Sequence, residues 1–94
     1  MIWKYEEGRI YSTDEDGRLM AEANYVRQNN NEINIERVYV DPNLRGQGVA
    51  GQIMSAVAEY LRENGLKATA SCPYAKTWFQ KNESRYSDII AKGM

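Results

Sequence analysis

Alternation of apolar and polar residues predicts three strands in the first part of the chain. Arg9–Thr13 is short and rich in β-forming residues, and Leu19–Val26 places its small and apolar side chains on every second position. Between them, Asp14–Gly17 has the composition of a hairpin turn. Glu32–Val40 is the third predicted strand, so this part of the chain is interpreted as an antiparallel meander.

The third predicted strand contains a break in its alternation. Ile33 and Ile35 share one face of a regular strand, whereas Val38 and Val40 share the other. Either both faces of the strand are covered, or a β-bulge near Glu36–Arg37 shifts the register by one residue. The residues alone leave both interpretations open.

After the third strand the apolar spacing changes to three and four residues, which predicts a helix reaching about Asn64. Leu66–Ser71 follows as a short apolar strand. Because strand–helix–strand crossovers are right-handed, it is expected to run parallel to Glu32–Val40. Tyr74–Lys81 and Ser84–Ala91 are predicted to form short helices. The apolar stripe of the long helix comprises Val49, Ala50, Ile53, Met54, Val57, Ala58 and Leu61.

Length and composition indicate one α+β domain over residues 1–94 and exclude several functions. A net charge of −1 argues against a nucleic-acid module, and no apolar run approaches the ~18 residues of a membrane span. Cys72 is the only cysteine, so no internal disulfide can form, which fits a reducing, cytoplasmic setting. Histidine is absent, which excludes Ser-His and Cys-His arrangements, and no metal site is expected.

The run Arg45–Gly51 carries the strongest chemical signal. Its glycines let backbone N–H groups approach a ligand, and the helix start that follows attracts anions, so a phosphate-bearing ligand is predicted. The run matches G-x-G-x-x-G, but a dinucleotide site needs an acidic residue where this chain has Ser71-Cys72. A mononucleotide P-loop needs Lys-Ser/Thr after Gly48, where the chain has Val49-Ala50.

The third interpretation fits more of the chain. Arg45-Gly46-Gln47-Gly48-Val49-Ala50 resembles the Q/R-x-x-G-x-G/A signature of the GNAT acyl-CoA-dependent N-acetyltransferases. Over nearly its whole length, the chain is similar to the small GNAT-like proteins of bacteria and eukaryotes. Residues 33–90 carry this resemblance most specifically, in the segments Val40–Ala50, Ala70–Tyr74 and Lys81–Glu83 and at Tyr86 and Asp88.

The resemblance implies a minimal GNAT fold, with an antiparallel meander followed by a helix, a parallel strand and short C-terminal helices. It also implies acetyl-CoA as the cofactor. Its pyrophosphate would be held by N–H groups in Arg45–Gly51, and its pantetheine arm would lie between the strand ending at Val40 and Leu66–Ser71. The cofactor-binding residues predicted in this way are Tyr39, Val40, Arg45, Gly46, Gln47, Gly48, Val49, Ala50, Gly51, Cys72 and Trp78.

Three side chains are candidates for catalysis in this cleft. Cys72 is either a small core residue or, as the resemblance implies, an acetyl acceptor or an acid for the CoA thiolate. Glu36 is a candidate base, or a cross-strand partner of a basic residue. Tyr74 is a candidate donor to the thiolate sulfur, or packs on a neighbouring helix.

One departure from the family concerns the acceptor. Relatives often have His-Thr or similar polar residues where this chain has Arg37-Val38, and larger GNAT enzymes have a helical segment between their first two strands that is missing here. An open cleft that admits an exposed amine, such as a lysine or an N-terminus, is therefore predicted. The predicted function is acetyl-CoA-dependent N-acetylation of a primary amine. The alternatives are a CoA-binding sensor or interaction module with little catalysis, and a structural domain without a ligand.

Overall fold

Five strands form one mixed sheet in the order β1-β2-β3-β4-β5 in the computed structural model, which describes residues 1–92. Strands β1 to β4 are antiparallel neighbours, and β5 runs parallel to β4. The strands are β1 (Lys4–Glu6), β2 (Arg9–Thr13), β3 (Leu19–Arg27), β4 (Glu32–Val40) and β5 (Lys67–Ala70). The helices are α1 (Val49–Glu63), α2 (Pro73–Lys81) and α3 (Glu83–Tyr86), with 3-10 turns at Pro42–Leu44 and Ser87–Ile89.

The predicted meander, long helix and parallel strand are confirmed, and three details differ. Strand β1 was not predicted because all three of its residues are exposed and show no alternation. Strand β5 ends one residue earlier than predicted, at Ala70. The predicted helical segment Ser84–Ala91 stops at Ile89, because Ile90 forms a parallel bridge to Ala68 at the edge of the sheet.

A β-bulge accounts for the broken alternation in β4. Tyr25 of β3 pairs with Ile35, whereas the preceding residue Asn24 pairs with Arg37, so Glu36 is an extra residue in β4. Because the bulge shifts the side-chain phase by one, the apolar pairs before and after it face the same side of the sheet. These residues, Ile33, Ile35, Val38 and Val40, all belong to or pack against the hydrophobic core.

All helices pack on that side of the sheet. Buried residues of α1, α2 and the C-terminal turns form one hydrophobic cluster with the inward residues of the strands. Within residues 1–92, no helix covers the opposite side, which we call the open face. Its side chains are mainly polar or aromatic and include Arg9, Tyr11, Glu22, Asn24, Arg37, Tyr39, Asn34, Thr69 and Ser71.

Candidate functional site

A buried carboxylate fixes the turn that leaves β4. Asp41 is 5% exposed, and its carboxylate accepts a hydrogen bond of 2.8 Å from the N–H of Asn43. The guanidinium of Arg18 lies 3.2 Å from the other carboxylate oxygen. These contacts hold the 3-10 turn Pro42–Leu44 in place and direct the chain into the glycine-rich segment.

Two glycines give this segment a backbone shape that other residues disfavour. Gly46 has φ +82° and Gly48 has φ +78°, both in the left-handed region. A Cβ atom built at either position would meet nothing within 4 Å, so both glycines border open space. The segment therefore leaves its backbone accessible to a ligand.

The start of α1 supplies free donors beside that space. Gly48 is the N-cap and offers no capping side chain, and the first helical bond runs from the N–H of Gln52 to the Gly48 carbonyl at 3.1 Å. Among the described residues, the N–H groups of residues 46–51 have no hydrogen-bond partner, and no acidic residue stands in the first turn of α1. Free N–H groups at the positive end of a helix dipole fit the phosphates of a nucleotide or of CoA.

A groove of about 690 Å³ extends from this turn along the solvent side of α1. The indole Nε1 of Trp78 lies 4.0 Å from the position that a Cβ of Gly51 would occupy, so the indole edge borders the first turn of α1. The groove is large enough for a small-molecule ligand. Near the turn it is lined by Gly48, Gly51, Gln52, Ser55, Trp78 and Asn82.

Next to the turn, β4 and β5 separate. Their pairing ends at Ile35 and Ala70, and the Ile35 carbonyl accepts the N–H groups of Ser71 at 3.0 Å and of Cys72 at 3.1 Å. Beyond this point the chain enters α2. Within residues 1–92, the second half of β4 therefore has no neighbouring strand on that edge.

The alternation of hydrogen bonds determines which groups face the vacated edge. The N–H of Asp41 donates a hydrogen bond to the Met20 carbonyl at 2.8 Å. Because the backbone of an antiparallel strand faces the same neighbour at every second residue, Tyr39 and Arg37 also face β3. The N–H and C=O groups of Val38 and Val40 therefore point away from β3, towards the cleft. Val38 was not among the predicted binding residues, because its orientation depends on the bulge.

Cys72 and Glu36 stand in the chain where β4 and β5 separate, and Tyr74 follows two residues after Cys72. Cys72 is 8% exposed and is the N-cap of α2, and Tyr74 lies in the first turn of that helix. Burial, with the nearby Cys72 sulfur as a second cause, raises the pKa of Tyr74, so its hydroxyl stays protonated at neutral pH. Glu36 is exposed at the bulge, and no ion pair to it is formed within residues 1–92. The Ile35 carbonyl links the bulge to Cys72.

Tyr39 is the one predicted cofactor residue that lies apart from the others. Its backbone pairs with Glu22 of β3, and its ring lies on the open face, with the Arg37 guanidinium 5.3 Å from the ring centroid. The remaining predicted cofactor residues lie in Arg45–Gly51, at the end of β4, at the N-cap of α2 and, for Trp78, in the second half of α2 beside Gly51. No helix within residues 1–92 has the length and apolar character needed to cross a membrane.

Comparison with known proteins agrees with this geometry. The model of a protein family described as GCN5-related N-acetyl-transferase matches residues 9–89. A GCN5-like protein of the N-acetyltransferase type from Staphylococcus aureus, solved by NMR, is 40% identical, with a TM-score of 0.77 over 96% of this chain and 87% of that one. A search of curated proteins gave no significant match.

More distant structures share the fold. Ard1 from Thermoplasma volcanium is 22% identical, with a TM-score of 0.58 over 68% of this chain and 43% of that one. YhbS from Escherichia coli, a GNAT family N-acetyltransferase solved in complex with CoA, is 22% identical, with a TM-score of 0.58 over 66% of this chain and 38% of that one. The chain thus spans less than half the length of these two proteins.

Proposed function

The chain belongs to the GCN5-related N-acetyl-transferase family, and we propose that it transfers the acetyl group of acetyl-CoA to a primary amine beside Cys72. Acetyl-CoA is the acetyl donor of this family. The observation that carries the proposal is that the free N–H groups of the glycine-rich turn follow along the chain from the half of β4 that β5 leaves unpaired. The cleft between β4 and β5 ends at the bulge and at Cys72.

Residues of this chain can hold the cofactor along its length. The N–H groups of residues 46–51 face the pyrophosphate, with the exposed guanidinium of Arg45 and the indole N–H of Trp78 at its border. The free N–H and C=O groups of Val38 and Val40 pair with the amides of the pantetheine arm, as a neighbouring strand would. When bound, acetyl-CoA supplies a thioester whose carbonyl carbon is the electrophile.

Two groups of the chain move protons in direct transfer. Glu36, or a water molecule beside it, takes a proton from the acceptor amine, whose nitrogen forms the new C–N bond as the C–S bond breaks. Tyr74, whose hydroxyl is protonated at neutral pH, delivers a proton to the departing sulfur. Cys72 serves this chemistry in one of two ways. Its thiol assists the protonation of the departing sulfur, or its sulfur accepts the acetyl group and passes it to the amine in a second step.

Intact-mass spectrometry after incubation with acetyl-CoA separates the two roles of Cys72. Because Cys72 is the only cysteine, an acetyl adduct that neutral hydroxylamine removes and that Cys72→Ala does not form is a thioester at this residue. An adduct that is absent from Cys72→Ala supports the two-step route. In either role, Cys72→Ala is expected to lower kcat about a hundredfold and to leave the Kd for CoA nearly unchanged.

Other outcomes contradict the proposal. Full activity of Cys72→Ala without any adduct would remove Cys72 from the chemistry. Tight CoA binding without turnover on a panel of amines would favour a CoA-binding module over an enzyme. Absence of CoA binding by calorimetry and by thermal shift would leave a structural domain.

A further inference from the structure

We propose that the acceptor amine carries a carboxylate, and that Arg37 binds this carboxylate on the open face of the sheet. The inference rests on the proposed acetyl transfer and names the class of its acceptor: amino acids, or peptides with an acidic group near the acetylated amine. Arg37 would then determine specificity.

The packing of the helices limits the direction from which an acceptor can arrive. Helices α1 and α2 cover one side of the sheet, and the acetyl site lies between β4 and β5 at the bulge. The cofactor occupies the cleft on the side of the glycine-rich turn. The acceptor must therefore approach from the open face, where the side chain of Arg37 lies.

Arg37 keeps most of its hydrogen-bonding capacity on that face. Its nearest carboxylate partner is Glu22, whose Oε1 is 3.9 Å from Nη1, at the outer limit of an ion pair. The Glu22 side chain is only 9% exposed and is engaged more closely by Nε of Arg9 through its other oxygen. The Arg37 side chain is 59% exposed, so its planar donor edge is available for two parallel hydrogen bonds to an incoming carboxylate.

Arg9 is held more closely than Arg37, because its Nε contacts Glu22 and its side chain is only 34% exposed. Besides Glu22, it lies 3.9 Å from Glu6, and its guanidinium stacks 3.6 Å from the centroid of the Tyr11 ring. Arg37 rests more loosely against Tyr39, at 5.3 Å. Of the two arginines that contact Glu22, Arg37 beside the bulge is therefore the more exposed and the less closely paired.

Glu36, the extra residue of the bulge, places a negative charge next to Arg37. The bulge places Glu36 and Arg37 opposite a single residue of β3, and both side chains are exposed. An anionic and a cationic group side by side complement a molecule that carries both an amine and a carboxylate. Glu36 receives the amine, as proposed above, and Arg37 receives the carboxylate.

Matched acceptors test this inference. Straight-chain amino acids, with the amine and the carboxylate separated by an increasing number of methylene groups, are compared with their carboxamides. Peptides whose N-terminal amine is followed by a glutamate are compared with the same peptides containing glutamine. We expect kcat/KM to be at least about tenfold higher for the carboxylate members, mainly through KM. A preference in the free amino acids or in the peptides identifies the source of the carboxylate.

Variants of the protein assign the effect to Arg37. Arg37→Gln is expected to remove the preference, and Arg37→Lys to restore part of it. Arg27→Gln is the matched control. It removes the same charge from β3, where the Arg27 guanidinium donates to the Asn30 carbonyl at 3.1 Å. The Kd for CoA and the Tm of each variant report on folding.

The outcomes separate this inference from the proposed function. Acetylation of carboxylates and carboxamides at equal rates, or a preference that survives Arg37→Gln, overturns the inference and leaves acetyl transfer intact. Failure to acetylate any amine overturns the proposed function itself. Equal loss of the preference in Arg27→Gln indicates a general charge effect and also overturns the role of Arg37.

Discussion

Replacing Gly48 by alanine tests the proposed pyrophosphate site, because Gly17 provides a matched control. Gly48 has φ +78° and Gly17 has φ +83°, and a Cβ at either position would meet nothing within 4 Å. Each substitution therefore costs backbone strain alone, about 1–2 kcal/mol of the free energy of unfolding. For a domain of this size, each kcal/mol lowers Tm by about 4–8 °C. We expect the two variants to be destabilised to a similar degree.

Their effects on the cofactor should differ. Gly48 borders the groove and precedes the free N–H groups of α1, whereas Gly17 lies in the β2–β3 hairpin turn. A methyl group at Gly48 occupies the open space over these donors and hinders the approach of a phosphate. The loss of one hydrogen bond to a charged group costs about 1.5–3 kcal/mol, which raises the Kd for CoA about tenfold to a hundredfold.

Calorimetric titration with CoA measures the Kd of each protein. The temperature is chosen so that urea unfolding curves show all three proteins to be folded. We expect Gly17→Ala to bind CoA as the unmodified protein does and Gly48→Ala to bind at least about tenfold more weakly. An unchanged Kd in Gly48→Ala, with a loss of stability equal to that of Gly17→Ala, would refute the assignment of the pyrophosphate to this turn. Equal weakening in both variants would attribute the effect to destabilisation of the whole domain.

Two further predictions concern the cleft. Because the pKa of Tyr74 is raised above its ordinary value of about 10, its proton is available at neutral pH and is lost only as pH rises through the raised pKa. The pH profile of kcat should show this alkaline decline, and Tyr74→Phe should lower kcat and remove the decline; an unchanged profile would contradict the assignment. Deleting Glu36 should close the bulge and expose two apolar side chains of β4, at a cost of roughly 3–6 kcal/mol in urea unfolding. Glu36→Ala, which keeps the register, should cost less than about 1 kcal/mol, and equal stability of the two variants would contradict the account of the bulge.

Local patterns in the sequence were sufficient to predict most of the fold. Strands β2 and β4 and helix α1 were predicted with nearly their observed bounds, because their apolar spacing reflects one buried side. Strand β1 has no buried residue and hence no alternation, so only its pairing with β2 identifies it as a strand. Ile90 likewise joins the sheet through a tertiary contact with Ala68 that no local pattern encodes.

The bulge marks the limit of such inference for the site. The break between Ile35 and Val38 is visible in the sequence, but a strand covered on both sides produces the same pattern. The choice depends on whether a second layer covers the open face, which is a property of the whole fold. Since the orientation of every later residue of β4 follows from that choice, the sequence alone did not reveal that the Tyr39 ring lies on the open face or that the backbone of Val38 faces away from β3.

The same extra residue therefore links the stability of the domain to its chemistry. Without Glu36, the apolar residues on one side of the bulge would leave the core, so burial of these side chains maintains the bulge. With Glu36 in place, the backbone groups of Val38 and Val40 face away from β3, and Glu36 and Arg37 are adjacent, exposed residues at the bulge. Hydrophobic burial thus fixes the orientation of the edge that is proposed to hold the cofactor and of the side chains that are proposed to meet the acceptor.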